Sequence, residues 1–188
     1  MSVKRATLFA QALARGLPPD GVLLVVDVAA QRLQACTRRG VWRVFRISTA
    51  ARGLGSAAGS HATPPGWHRV AHWLGAGAPL GQVFRSRRRT RRVLPPAAWR
   101  SPDGEDLILT RILRLAGLEP GVNQGAGVDS LARFIYIHGT NHEQWLGRPV
   151  SHGCIRLGNR ALAALFAFTK GRQTWCWIGK PEQQNGTD

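Results

Sequence analysis

The chain has 188 residues, 44% of them hydrophobic, which fits one domain with a core of its own. That hydrophobic content excludes a disordered chain, and no apolar run approaches the roughly 18 residues a membrane span needs. The net charge is +16, with 26 basic residues against 10 acidic, and 23 of the basic residues are Arg. Such a surface suits a polyanion or a carboxylate-bearing substrate, although an Arg-rich coding bias would give the same composition. The cysteines number three, Cys36, Cys154 and Cys176, too few for a disulfide scaffold and odd in number.

Residues 1–20 read as an N-terminal helix or tail. Lys4 and Arg5 precede ATLFAQALA, which loosely imitates an export signal. Gln11 and Thr7 interrupt it, so an amphipathic helix with Leu8, Phe9 and Leu13 on one face is the preferred reading. Gly16 and Pro18-Pro19 stop it.

Residues 22–28 (VLLVVDV) are β-branched and continuous, as in a buried strand. Residues 32–37 and 41–48 follow at hairpin distance. Residues 51–60 are small and Gly-rich, hence a loop, and Thr63-Pro64-Pro65-Gly66 is a turn before a strand at 67–73. His61, His68 and His72 read as surface or supporting residues. Residues 75–81 are loop. Residues 85–92 hold six Arg in eight, a self-repelling run that cannot be core and reads as a solvated mobile loop. Strands are expected at 107–115, 134–137 and 174–178. Residues 159–170 form the best helix: Asn159 caps it, Leu162, Leu165 and Phe166 share a face, and Gly171 ends it. Trp175 and Trp177 share a face and pack under the helix, while Cys36 and Cys176 are inert core thiols. Many short strands with one good helix predict a mainly β sandwich or barrel.

The chemistry concentrates in residues 138–157, HGTNHEQWLGRPVSHGCIRL. A buried strand delivers His138 to a turn opened by Gly139, and Ser151-His152-Gly153-Cys154 follows. A Gly-flanked cysteine with a fixed histidine is a nucleophile–base arrangement. The thiolate is the reactive form, so a base or cation must stand near it. Gly153 lets backbone N–H groups approach an oxyanion. Arg156, two residues on, is placed to clamp a substrate carboxylate. Two rivals exist. His138, His142, His152 and Cys154 are all metal-ligand types, but the turn at Gly139 argues against the helix that their spacing would need. The Arg run with Trp99 nearby could grip nucleic acid, but it lacks interleaved stacking aromatics.

His138-Gly139-Thr140 with Ser151-His152-Gly153-Cys154-Ile155-Arg156-Leu157 closely resembles the signature of the YkuD-type L,D-transpeptidase catalytic family. Val25-Val26-Asp27 with Gln31-Arg32-Leu33 resembles the family's first hairpin, and Ser48-Thr49 and Thr63-Pro64-Pro65-Gly66 its next loop and turn. The resemblance covers roughly residues 22–178. It implies a YkuD-type β-sandwich or barrel-like catalytic domain over residues 21–180, with one or two helices and a disordered tail at 181–188. It further implies a cysteine acyl-enzyme acting on peptidoglycan stem peptides or muropeptides, without metal or cofactor, without a membrane span and without obligatory nucleic acid. In it Cys154 is the nucleophile and His138 the base and then the acid. The Gly139 carbonyl orients His138, and Gly153 and Cys154 form the oxyanion hole. Ser151, His152 and Arg156 shape the site and bind substrate.

Three features depart from the family pattern: Ala50 where Gly is common, the Arg run, and no clear signal peptide or wall-binding module. Residues 75–86 and 109–123 resemble a shorter subgroup that includes cytosolic L,D-carboxypeptidases of wall recycling. The expectation is a cytoplasmic enzyme that trims tetrapeptide stems to tripeptides with release of D-alanine. The alternative is a periplasmic transpeptidase that forms 3–3 cross-links or attaches proteins to peptidoglycan.

Overall fold

The computed structural model describes residues 2–101 and 104–180. The tail expected at 181–188 lies outside the described residues. Helix α1 (Ser2–Ala14) leads into β1 (Val22–Asp27), β2 (Arg32–Thr37) and β3 (Gly40–Ser48). Then come β4 (Gly66–Leu74), β5 (Gln82–Arg85), β6 (Arg88–Val93) and β7 (Ile108–Gly117). Strands β8 (Tyr136–Gly139) and β9 (Ile155–Leu157) precede α2 (Asn159–Thr169) and β10 (Thr174–Gly179). One ten-stranded sheet runs β4-β10-β1-β2-β3-β9-β8-β7-β5-β6, and a β4–β7 pairing closes it into a barrel. The mainly β architecture with two helices agrees with the expectation.

The continuous apolar run of β1 has a physical cause: both faces of the strand are covered. Val22, Leu24 and Val26 point into the barrel with Leu33, Ile47, Leu113, Ile137 and Ile155. Leu23 and Val25 point outward, under Phe9 and Ala12 of α1. Helix α2 adds Leu162, Leu165 and Phe166 to the barrel core. Each such side chain contributes about 2 kcal/mol on burial.

Several expectations change. Residues 88–93 are not a loop but an exposed strand, β6, hairpinned to β5 through a turn with Ser86 and Arg87 both at positive φ. Charge forbids burial there, but an edge strand buries nothing. Phe134 is not in a strand: it is half exposed at φ 57°, and β8 begins two residues later. Of the two readings of His68, surface or supporting, the second holds: it is buried and bonded to the Gly66 carbonyl at 3.0 Å and Ser130 Oγ at 2.9 Å. Asn159 does not cap α2. Glu143 Oε1 accepts its backbone N–H at 2.6 Å, and the Asn159 side chain turns inward. Trp175 and Trp177 pack against the cluster that holds α1, not under α2. Cys36 and Cys176 are buried core thiols, as expected, and burial pushes the Cys176 thiol far up.

Candidate active site

Strands β7, β8 and β9 build the site. Their register pairs Ile112 with His138 and Arg114 with Tyr136. It also pairs His138 with Arg156 on the parallel neighbour. Residues directly opposite share a face, and alternate residues along a strand share it too. Arg114, Ile112, Tyr136, His138 and Arg156 therefore face one side, and Cys154, two residues before Arg156, joins them. Leu113, Ile137 and Ile155 face the barrel core. The HGT and SHGCIR segments meet because β8 and β9 lie side by side.

His138 is buried, and its Nδ1 lies 2.8 Å from the Gly139 carbonyl oxygen. Nδ1 therefore carries the proton, which leaves Nε2 as a lone-pair base. Gly139 has no room for a side chain, since a Cβ would strike Asn159 Oδ1 and the Leu109 carbonyl. Burial pushes the His138 imidazole down to about 4, against partial recovery from the Gly139 carbonyl and Asp106. Burial likewise pushes the Cys154 thiol up to about 11, opposed by the Tyr136 backbone N–H and by Arg156 and Arg133. Both groups are neutral at pH 7 in this state.

The loop that holds Cys154 is braced from within. Ser151 Oγ donates to the Cys154 carbonyl at 2.6 Å and accepts from the Gly153 N–H at 3.3 Å. Thr63 Oγ1 donates to the Gly153 carbonyl at 3.0 Å, and Gly153 has φ 133°, which favours glycine. Ser151 is buried, so its hydroxyl shapes the loop. The thiol donates to the Phe134 carbonyl at 3.5 Å rather than to His138. Neither His138 nor His152 holds the sulfur, although His138 is one register step away on the shared face. The His152 ring is largely in solvent, 6.2 Å from the His61 ring.

Arg156 differs from expectation. Its guanidinium is buried and ion-paired with Asp106 of the same chain, so it is not open to a substrate carboxylate. Asp106 also lies 3.8 Å from Nδ1 of both His142 and His152. Asn141 clips the segment that presents Asp106: its Oδ1 accepts from Leu107 N–H at 2.9 Å and its Nδ2 donates to the Glu105 carbonyl at 3.0 Å. Sequence reasoning passed over Asp106, Asn141, Phe134 and Arg133. The one available signal was Asp106 itself, one of 10 acidic residues in a chain of net charge +16.

Beside the cysteine loop opens a cleft of about 630 Å³ lined by His61, Gly127, Asp129, Arg133, Ile135 and His152. That volume suits a short peptide or similar small ligand. Arg133 ties its wall together, donating to the carbonyls of Gly55, Ser56 and Ala62 and to Ser60 Oγ. Among the described residues, no group of three or more His, Cys, Asp or Glu side chains forms a metal-ligand set.

The profile of the L,D-transpeptidase catalytic domain, YkuD, matches residues 21–181. The chain belongs to that family. A search of curated proteins gives no match. Among solved structures, L,D-transpeptidase 3 from Mycobacterium tuberculosis aligns with TM-score 0.51 at 13% identity, over 85% of this chain and 61% of that one. The LD transpeptidase LdtMt1 in complex with imipenem aligns with TM-score 0.50 at 17% identity, over 85% and 59%. The Mycobacterium tuberculosis L,D-transpeptidase 3 in complex with a faropenem-derived adduct gives 0.50 at 14%, over 85% and 60%. At these identities the likeness is one of fold. The YkuD chain described here spans about three fifths of the length of these neighbours. Among its described residues, no helix is long and apolar enough to cross a membrane.

Proposed function

We propose that this YkuD-family chain is a cysteine acyl-enzyme that acts as an L,D-carboxypeptidase on peptidoglycan tetrapeptide stems. The observation that carries it is the shared sheet face of Cys154 and His138, with the His138 Nδ1 proton committed to the Gly139 carbonyl. The thiol rotates from the Phe134 carbonyl towards His138 Nε2, which accepts its proton. Sulfur attacks the carbonyl carbon of the third stem residue. The oxyanion is met by the Cys154 N–H and, once Ser151 Oγ yields it, the Gly153 N–H. His138 then gives its proton to the departing amide nitrogen, and D-alanine leaves. Water, deprotonated by His138, attacks the thioester and frees the tripeptide and the thiol.

Two features favour water over an amine acceptor. Arg133 acts electrostatically on the thiol, and Arg87 and Arg114 flank Phe134, whose carbonyl holds it. An acceptor amine arrives as an ammonium ion, and these guanidiniums repel it; water meets no such penalty. In addition, none of the three cysteines is joined in a disulfide among the described residues, which suits a reducing compartment and so the cytoplasm.

The test is incubation with a tetrapeptide-stem muropeptide, with and without an amine acceptor, followed by mass spectrometry. Tripeptide and free D-alanine are expected. Cross-linked dimers or exchange of the terminal D-amino acid as the main products would establish transpeptidation instead. A structural neighbour is described in complex with imipenem. Imipenem is accordingly expected to add its mass at Cys154 and to leave Cys154→Ala unmodified.

A further inference from the structure

The arginine-rich hairpin β5–β6 reaches the catalytic face at its turn. The Arg87 guanidinium lies 4.9 Å from the Phe134 ring centroid, and that of Arg114 lies 5.8 Å from the same centroid. Arg87 Nη1 also lies 3.5 Å from the Tyr136 hydroxyl, on the strand that carries His138. Phe134 is the residue whose carbonyl accepts the Cys154 thiol. Its ring is half exposed, and its φ of 57° is one that a bulky side chain rarely adopts. Backbone strain of this kind collects at functional sites.

Two like charges are thus gathered over one exposed ring beside the nucleophile. Among the described residues, neither guanidinium has a carboxylate within ion-pair distance. The ion pairs of the other arginines are Arg85–Glu105 and Arg156–Asp106. Asp129 feels Arg114 only weakly, and its own hydrogen bonds come from the Ala132 and Gly125 N–H groups. Arg114 Nη2 donates to the Leu131 carbonyl at 3.0 Å, which orients the guanidinium and leaves its charge unpaired. The other cations near the sulfur are committed. Arg156 is paired with Asp106, and both terminal nitrogens of Arg133 hold the 55–62 loop.

We infer that Arg87 and Arg114 over Phe134 form a carboxylate-binding subsite on the catalytic face beside Cys154, with Arg87 as its specificity-determining residue. The subsite takes a carboxylate of the peptide substrate, either that of the leaving terminal residue or one on a stem side chain. The planar, weakly hydrated guanidinium suits a carboxylate at an aromatic surface. This inference rests on the acyl-enzyme reading above.

The test uses Arg87→Gln, at an exposed turn, with Arg91→Gln as a control that removes the same charge from the same hairpin. Substrates are a tetrapeptide stem, its terminal carboxamide and its side-chain carboxamide. Arg87→Gln is expected to lower kcat/KM for the parent by roughly 10- to 100-fold, the range of one charged hydrogen bond. It should have little effect on whichever amide lacks the recognised carboxylate, which identifies that carboxylate. An equal loss on all three substrates, or an equal loss with Arg91→Gln, overturns the proposal. A second readout needs no turnover: alkylation of Cys154 by iodoacetate relative to iodoacetamide. Arg87→Gln is expected to lower that ratio several-fold and Arg91→Gln to leave it near wild type. If the wild type turns over no stem peptide, the acyl-enzyme reading fails while this ratio still decides the subsite. An unchanged ratio in Arg87→Gln counts against it.

Discussion

The buried guanidinium of Arg156 is neutralised by the carboxylate of Asp106, a residue 50 positions earlier that Asn141 holds in place from both sides. A buried arginine is tolerable only with such a partner. Removing one member leaves the other charge uncompensated, which costs more than the pair contributes. Asp106→Ala is expected to lower stability by about 3 kcal/mol, because its side chain is only 30% exposed and that of Arg156 3%. Asp106→Ala combined with Arg156→Met should recover part of the loss, read from the urea midpoint. Equal stability of Asp106→Ala and wild type would show that the pair contributes nothing.

The thiol near 11 sets how Cys154 reacts when no substrate is bound. Alkylation by iodoacetamide should be slow at pH 7 and rise steadily to about pH 11. A plateau near pH 7 would reveal a preformed thiolate. Cys154→Ala should keep the fold and lose at least about three orders of magnitude in turnover, as expected for a lost covalent nucleophile. Cys36→Ala and Cys176→Ala, which only remove sulfur from the core, should stay close to wild type in kcat/KM.

His138 and His68 are both held near 4 by burial, against an ordinary value of 6.5. Between these values the unfolded chain takes up protons that the folded chain refuses. Stability is therefore complete above pH 6.5, falls as the pH drops towards 4, and levels off below it. Each imidazole accounts for about 3 kcal/mol of that fall. His68→Asn should flatten the curve by about half if it folds. A stability profile flat from pH 7 to pH 4 would contradict both assignments.

His138→Ala should abolish turnover, whereas His152→Ala, at a ring 76% exposed, should retain most of it. The opposite ranking would make His152 the base.

Asn159 sits fully buried at the start of α2. Its Oδ1 accepts from Thr110 Oγ1 at 2.6 Å, and its Nδ2 donates to the Thr140 carbonyl and to Glu143 Oε1, both at 2.8 Å. Asn159→Ala strands these partners and should cost about 2–3 kcal/mol. A loss below about 0.5 kcal/mol, the range of an ordinary surface substitution, would place Asn159 outside the support of the site.

The sequence was most legible where one local pattern has one outcome. The β2 bounds matched, β1 and α2 agreed to within a residue, and HGT ends β8 while SHGCIR leads into its neighbour β9. It was least legible where the decision is tertiary. Asn159 has the chemistry of a cap, and only the fold shows that Glu143 takes that role. Phe134 has the composition of a strand, yet its backbone turns left-handed beside the thiol. Arg156 stands at the right spacing for substrate, but the carboxylate that reaches it comes from a distant part of the chain. His68 looked like one more scattered histidine because nothing local announces Ser130.

Among the described residues, closure of the sheet through β4 and β7 leaves one strand, β6, hydrogen-bonded on a single side, with β5 as its neighbour. An open edge of this kind is a template on which another molecule can extend the sheet. Here the edge sequence is RRTRRV, exposed almost throughout. Two such edges approaching one another would bring arginine against arginine along their whole length. Like charge along this run therefore opposes extension of the sheet through β6 by a second copy.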